Sequence, residues 1–170
     1  MTENPRWLND TEEHSWRAYI EGTLSFLEKL DRELRAEHGI SNNEYEVLVR
    51  LSEAPERTLR MAELAASTSQ SRSRLSHTIS RMEKNGIVIR KSCGEDGRGV
   101  FATLTEAGWA LIVRASKTHL RGVRQYFVDV IQPEDLKTIG EAFSKIRQGL
   151  GGDAHSFNRC PATIPGREEN

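Results

Sequence analysis

Between Ser71 and Arg81 the chain sets serines, arginines and a histidine at spacings suited to contact with nucleic acid. At 100° per residue, Ser73, Arg74, His77, Ser80 and Arg81 share one helix face, with Ser71, Arg72 and Ser76 beside it. Leu75, Ile79 and Met82 fall at i, i+4 and i+7 on the opposite face, which is therefore the buried one. Serines and cations with no acid before Glu83 make a poor solubilising face but a good reader of base edges and phosphates. Two further pairs, Arg90 with Lys91 and Asp96 with Arg98, follow in a segment whose pattern has changed from helix to strand.

These residues need elements to hold them. The helix stops at Asn85-Gly86, where glycine accepts the left-handed conformation past a helix end. Residues 87–91 and 100–104 are β-leaning and flank the glycine-rich turn 94–99, so they form a hairpin with a basic tip. Upstream, residues 61–66 make a short helix, set off by the polar turn Ser67-Thr68-Ser69. Helix, turn, helix and a two-stranded ribbon define a winged helix-turn-helix. Its second helix suits a major groove. The fold class is mainly α with a small β wing, and residues 41–104 form the winged unit.

The remainder of the chain reads as arms. Residues 1–9 are polar, with Pro5 and Trp7, and form an N-terminal arm. Asp10, with Glu13 three residues on, is placed to cap a long helix. Trp16, Ile20, Thr23, Leu27, Leu30 and Leu34 then draw an apolar stripe to His38-Gly39, about 43 Å at 1.5 Å per residue. Ser41-Asn42 restarts the chain into a supporting helix closed by Ala54-Pro55. Thr105 caps a third long helix to about Val130, and Pro133 opens a last one carrying Leu136, Ile139, Phe143, Ile146 and Leu150. Helices this long exceed what one small domain can cover. We expect 10–39 and 105–150 to be dimerisation helices that interleave across a two-fold axis, the other arrangement being an intramolecular bundle. Residues 151–170 are polar and aperiodic and are expected to be a mobile tail.

Charge supports the division. The net charge is only −1 over 170 residues, yet residues 1–56 hold six Lys/Arg against thirteen Asp/Glu, and residues 57–104 hold nine against four. The positive excess coincides with the reading helix and wing, the footprint of a nucleic-acid partner. No apolar run approaches membrane-spanning length and no signal-peptide pattern opens the chain, so a cytoplasmic protein without a membrane role is expected. The two cysteines, Cys93 and Cys160, make no disulfide scaffold. Neither they nor the five histidines have ligand spacing, so no metal or other cofactor is expected. Gly94, Gly97 and Gly99 lie between strands rather than before a helix, which rejects a phosphate cradle. Nothing points to an enzyme.

The run from Met61 to Gly108 resembles the MarR family of bacterial transcriptional regulators. The matching residues are Ser80-Arg81-Met82-Glu83-Lys84-Asn85-Gly86-Ile87-Val88, the wing Asp96-Gly97-Arg98, and Leu104-Thr105-Glu106-Ala107-Gly108. With the long flanking helices, the likeness extends over roughly residues 10 to 150. One departure is Gly97, where the family often has the first of two arginines. The resemblance implies a homodimeric repressor on a pseudo-palindromic operator of double-stranded DNA. Arg98 would be its minor-groove arginine and Asp96 the bracing partner. It also implies release by an effector or by oxidation.

Two control routes are open. Trp16, Arg17, Tyr19 and Tyr45 combine aromatic bulk, polar tips and one cation. Near the junction where the family binds small aromatic or phenolic anions, they would suit a small aromatic or apolar effector; as core filler they would bind nothing. Alternatively, Cys93 follows Arg90, Lys91 and Ser92, cations favour its thiolate, and Cys160 could reach it from the tail, which would make a redox switch. From a different class, a winged domain can serve protein–protein assembly without reading DNA.

Overall fold

A computed structural model describes residues 4–68, 70–92 and 99–151. Cys93, Asp96, Arg98 and Cys160, with the expectations attached to them and to the tail beyond residue 151, lie outside the described residues.

The chain opens with α1 (Asp10–His38). Its cap is Asn9 rather than the expected Asp10: the Asn9 side chain accepts the Glu12 amide and Glu12 accepts the Asn9 amide, both at 2.9 Å. Asn9 with Glu12 satisfies the capping-box spacing as well as Asp10 with Glu13 does. Asp10 then falls in the first turn with Glu12 and Glu13, where acids complement the helix dipole. Helix α2 (Asn42–Glu53) begins with the same device, Ser41 with Glu44. A 3₁₀ turn, Pro55–Arg57, follows, with Glu56 and Arg57 at φ of 51° and 54°. That left-handed elbow is held by Arg57, which pairs with Glu106 at 2.8 Å and lies 4.1 Å from the Trp109 ring centre.

The elbow delivers β1 (Thr58–Arg60), an element the sequence reading lacked. Three residues are too few to show an alternation. β1 exists because it pairs antiparallel with β3 (Val100–Leu104), Thr58 opposite Thr103 with their hydroxyls 3.0 Å apart. β2 (Val88–Ser92) pairs on the other edge of β3, so the wing is a three-stranded sheet of order β1-β3-β2 rather than a two-stranded ribbon.

Between β1 and β2 run α3 (Met61–Ser67) and α4 (Arg72–Lys84). Gly86, at φ +68°, turns the chain from α4 into β2. Gly108 lies so close to the hairpin that a Cβ there would sit 2.3 Å from the Ile87 carbonyl oxygen. Any larger residue would push α5 (Glu106–Val123) off the wing. The capping of α5 by Thr105 matches expectation, with the hydroxyl accepting the Gly108 amide at 3.0 Å. The helix does not continue regularly to Val130: it passes into a π-helical turn over Arg124–Val128, before α6 (Pro133–Gly149).

One core joins these pieces. Leu34 of α1, Val47, Leu48 and Leu51 of α2, Leu64 of α3, Leu75, Ile79 and Met82 of α4, Val88 and Ala102 of the sheet, and Ile112 and Ala115 of α5 are all buried in it. α1 contributes only Leu30 and Leu34 as buried residues, and α6 contributes none. Polar bonds fasten the C-terminal part of α1 to α5 and the turn after it. Glu37 accepts Thr118 at 2.7 Å and also Arg121, and Glu33 accepts the Tyr126 hydroxyl at 2.6 Å. Among the described residues, no helix is long and apolar enough to cross a membrane.

Candidate nucleic-acid interface

α4 begins where Ser71 caps it, its hydroxyl accepting the Arg74 amide at 3.2 Å. The first turn contains no acid to offset the helix dipole, which leaves that end open to an anion. Leu75, Thr78, Ile79 and Met82 face the core, which puts Arg72, Ser73, Arg74, Ser76 and His77 on the exposed surface together. This part of the candidate set is brought together as a continuous outward strip.

The C-terminal part of the strip is built differently. Arg81 donates from Nε to Glu44 Oε1 at 2.8 Å, and Glu44 Oε2 accepts both the Ser41 amide and the Ser41 hydroxyl at 2.8 Å. Burial pushes the Glu44 carboxyl up, but Arg81 and the Ser41 donors outweigh it and hold the group below the usual carboxylate range. One acid thus caps α2 and fixes the last turn of α4 against it. Arg81 therefore faces inward in part, although 58 % of its side chain is exposed.

Arg90 is likewise engaged. Its guanidinium donates to the Ser76 carbonyl at 2.7 Å and the Ser80 hydroxyl at 2.9 Å, and its backbone amide donates to Glu83 at 3.1 Å. Ser80 is half-buried by this contact. Arg90 and Ser80, expected on an open reading surface, instead stitch β2 to α4. Lys91, one residue along the strand, is exposed.

A groove of about 640 Å³ opens between α3, α4 and the wing strands, lined among others by Arg60, Met61, Arg72, Ser76, Arg90 and Val100. Arg60 was missed because it ends β1, the strand too short to announce itself. The one signal was its place beside the Met61 helix in the positively charged segment.

The structure does not assemble the four-residue aromatic junction. Trp16 and Tyr19 are neighbours, ring centres 5.8 Å apart, and Tyr19 meets Phe143 of α6 at 5.2 Å. Arg17 pairs with Glu13 at 2.7 Å. Tyr45 is buried elsewhere, stacked on His119 with ring centres 4.4 Å apart. The α2 N-terminus near Tyr45 is tied to Asp31, which accepts the Asn42 amide. Asp31 lies about 22 Å along α1 from Trp16 at 1.5 Å per residue. In place of that junction, a hollow of about 430 Å³ lies between the N-terminal arm and α1, lined by Trp7, Leu8, Glu13, Trp16, Arg17, Ile20 and Glu21. Among the described residues no group of three His, Cys, Asp or Glu could hold a metal ion.

Helices α3 and α4, backed by one core and flanked by a three-stranded wing, define a winged helix-turn-helix protein. The MarR family model matches residues 38–99. AbsC, a MarR family transcriptional regulator from Streptomyces coelicolor, superposes with a TM-score of 0.81 at 41 % identity, over 88 % of this chain and 100 % of that one. Sco3205, a MarR family regulator of the same organism solved in complex with DNA, gives 0.83 at 41 % identity, over 89 % and 97 %. An uncharacterized HTH-type transcriptional regulator of Bacillus cereus is 26 % identical over 120 residues, 71 % of this chain and 78 % of that one. The chain belongs to the MarR family, whose members are transcriptional regulators and not enzymes.

Proposed function

We propose that this protein is a DNA-binding transcriptional repressor that acts in the cytoplasm as a homodimer on a pseudo-palindromic operator. The observation that carries this reading is the acid-free outward strip of α4 from Arg72 to His77, held on a closed core beside the wing. A chain 41 % identical to this one was solved with DNA bound. Residues 41–104 are the reading unit, with α4 in a major groove and Arg98, braced by Asp96, for the flanking minor groove. Residues 10–39 and 105–150 join two copies, because α1, α5 and α6 carry Leu24, Leu27, Leu120 and Ile146 exposed on one chain. Two heads then meet half-sites about 34–36 Å apart.

Release belongs to a small aromatic or apolar effector, for which the hollow beside Trp7, Trp16 and Arg17 is the better site. The organohalide-sensing regulator RdhR-CbdbA1625, 19 % identical with a TM-score of 0.72, shares this fold and was solved with 2,4-dichlorophenol. The test is a mobility shift with duplex selected from a random library, set against unselected duplex, together with solution mass. Selective binding by a dimer is expected. Equal affinity for both duplexes would overturn operator reading, and binding to neither would favour a protein–protein role for the winged domain.

A further inference from the structure

The groove between α3, α4 and the wing gathers three arginines, Arg60, Arg72 and Arg90, at the edge of the outward strip of α4 that supplies Arg72 and Ser76. Its walls come from three places: Arg60 and Met61 at the junction of β1 and α3, Arg72 and Ser76 on α4, and Arg90 and Val100 on the sheet. Arg90 is held by Ser76, Ser80 and Glu83. Arg60 and Arg72 differ. Among the described residues neither is in an ion pair, and Arg60 rests over the Phe101 ring at 5.1 Å. No carboxylate lines the groove among the described residues.

We infer that this groove seats one backbone phosphodiester of duplex DNA, with Arg60 and Arg72 as its cationic contacts. The inference rests on the DNA-reading role proposed above. Adjacent major and minor grooves of a duplex are separated by a single sugar–phosphate strand. A protein with α4 in one and the wing in the other must let that strand pass between them, and this groove lies between them. Guanidinium forks match phosphate oxygens two at a time. The apolar Met61 and Val100 suit deoxyribose carbons better than a fully hydrated free anion. The bonds from Arg90 to Ser76 and Ser80 fix one wall to the other, so the opening is set before DNA arrives. Phosphate contacts position without reading sequence, so the contribution of Arg60 is the same on any duplex.

The experiment uses the full chain, wild type, Arg60→Ala, Arg60→Lys and Arg72→Ala, with binding to selected and unselected duplex followed from 50 to 200 mM salt. Thermal melts establish that each variant is folded. Each phosphate neutralised adds about 0.9 to the logarithmic salt slope, and two guanidiniums share this one, so wild-type affinity should fall about 2-fold more than that of Arg60→Ala across this range. Arg60→Lys should recover most of the slope, and Arg72→Ala should lose a similar amount. Neutral methylphosphonates placed singly along the duplex should include one position that weakens the wild type more than it weakens Arg60→Ala. Failure of the wild type to bind any duplex overturns both readings. Wild-type binding with an unchanged slope in folded Arg60→Ala and Arg72→Ala overturns this one alone. So does a loss confined to the selected duplex, which would make Arg60 a base reader. Inorganic phosphate titrated into the DNA-free protein tests the other source of this chemistry. Arg60-dependent binding of that anion with an unchanged DNA slope would make this a free-anion site and overturn the assignment.

Discussion

Leu48, Leu64 and Leu75, in the winged half of the chain, are wholly buried, whereas Leu24, Leu120 and Ile146, on α1, α5 and α6, are each more than half exposed. Both groups lie on amphipathic helices of ordinary composition. The winged half has enough elements around it to close every stripe: α2, α3, α4, the sheet and the nearer part of α5 meet in one core. The first two-thirds of α1 and all of α6 have too little chain around them, and the apolar surface they leave is the kind that another copy covers. The charges divide in the same way, with the basic excess on the closed half and the acidic excess on the N-terminal arm and α1.

If that contrast reflects dimerisation, placing acids on the arms should have the largest effect of any change. Leu24→Glu combined with Leu120→Glu is expected to give a monomer by light scattering. Its affinity for selected duplex should fall by about 10²–10⁴-fold, because the second half-site is no longer held near the first. A monomer that still bound the selected duplex as tightly would break the comparison.

Matched truncations sharpen it. Leu48→Ala should cost about 2–5 kcal/mol of stability by denaturant unfolding, through a cavity in a core closed within one chain. That loss should not depend on protein concentration. Leu24→Ala should cost less, and its penalty should shrink as the protein is diluted toward monomer, because on the dimer reading its burial comes from assembly. Identical concentration dependence for the two would dissolve the distinction between closed and open halves.

Much of the closed half was legible in sequence because its signals are local. Leu75, Ile79 and Met82 announce their face by spacing, and Ser41 with Glu44 announces a helix start. What escaped was non-local. β1 owes its existence to β3, more than forty residues away in register, and Arg60 was lost with it. Nothing near Arg81 in sequence points to Glu44, and Ser80 gave no sign of meeting Arg90. The aromatic junction failed for the same reason in reverse: Tyr45 was matched with Trp16 by chemistry, but His119 is its neighbour in space. The end of α5 was overrun because Tyr126 and Val130 keep the helical pattern while the backbone shifts to π-helical bonding.

Within the reading helix the same division, outward against tied, separates two arginines. Arg74→Ala should weaken binding by about 1–3 kcal/mol and relax preference at one position per half-site, with the melt unchanged. Arg81→Ala should also lower stability, by about 1–3 kcal/mol at neutral pH, because it strips a hydrogen bond from the buried Glu44 carboxylate. The pH dependence follows from the lowered Glu44 pKa. Its stabilisation is fully present above the ordinary carboxylate value of 4.5 and is lost as pH falls through the lower folded value. The stability gap between wild type and Arg81→Ala should therefore close in acid. A gap that persisted there would show that the arginine acts by packing alone.

The smallest effect is expected where the two halves of the molecule meet, at the His119–Tyr45 stack between α5 and α2. Burial holds the His119 imidazole below its ordinary value of 6.5, so the folded chain binds this proton less readily than the unfolded chain does. For a depressed pKa the stabilisation is complete above the unfolded value and is lost as pH falls toward the folded one. Melting temperature should thus decline below about pH 6.5, before the carboxylates begin to titrate. His119→Phe keeps an aromatic face against Tyr45 and removes the titrating group, so this part of the decline should disappear. Melts of both proteins between pH 7.5 and 5.5 make the comparison. An equal slope in the two would assign the decline to other groups and leave the stack as packing between the halves.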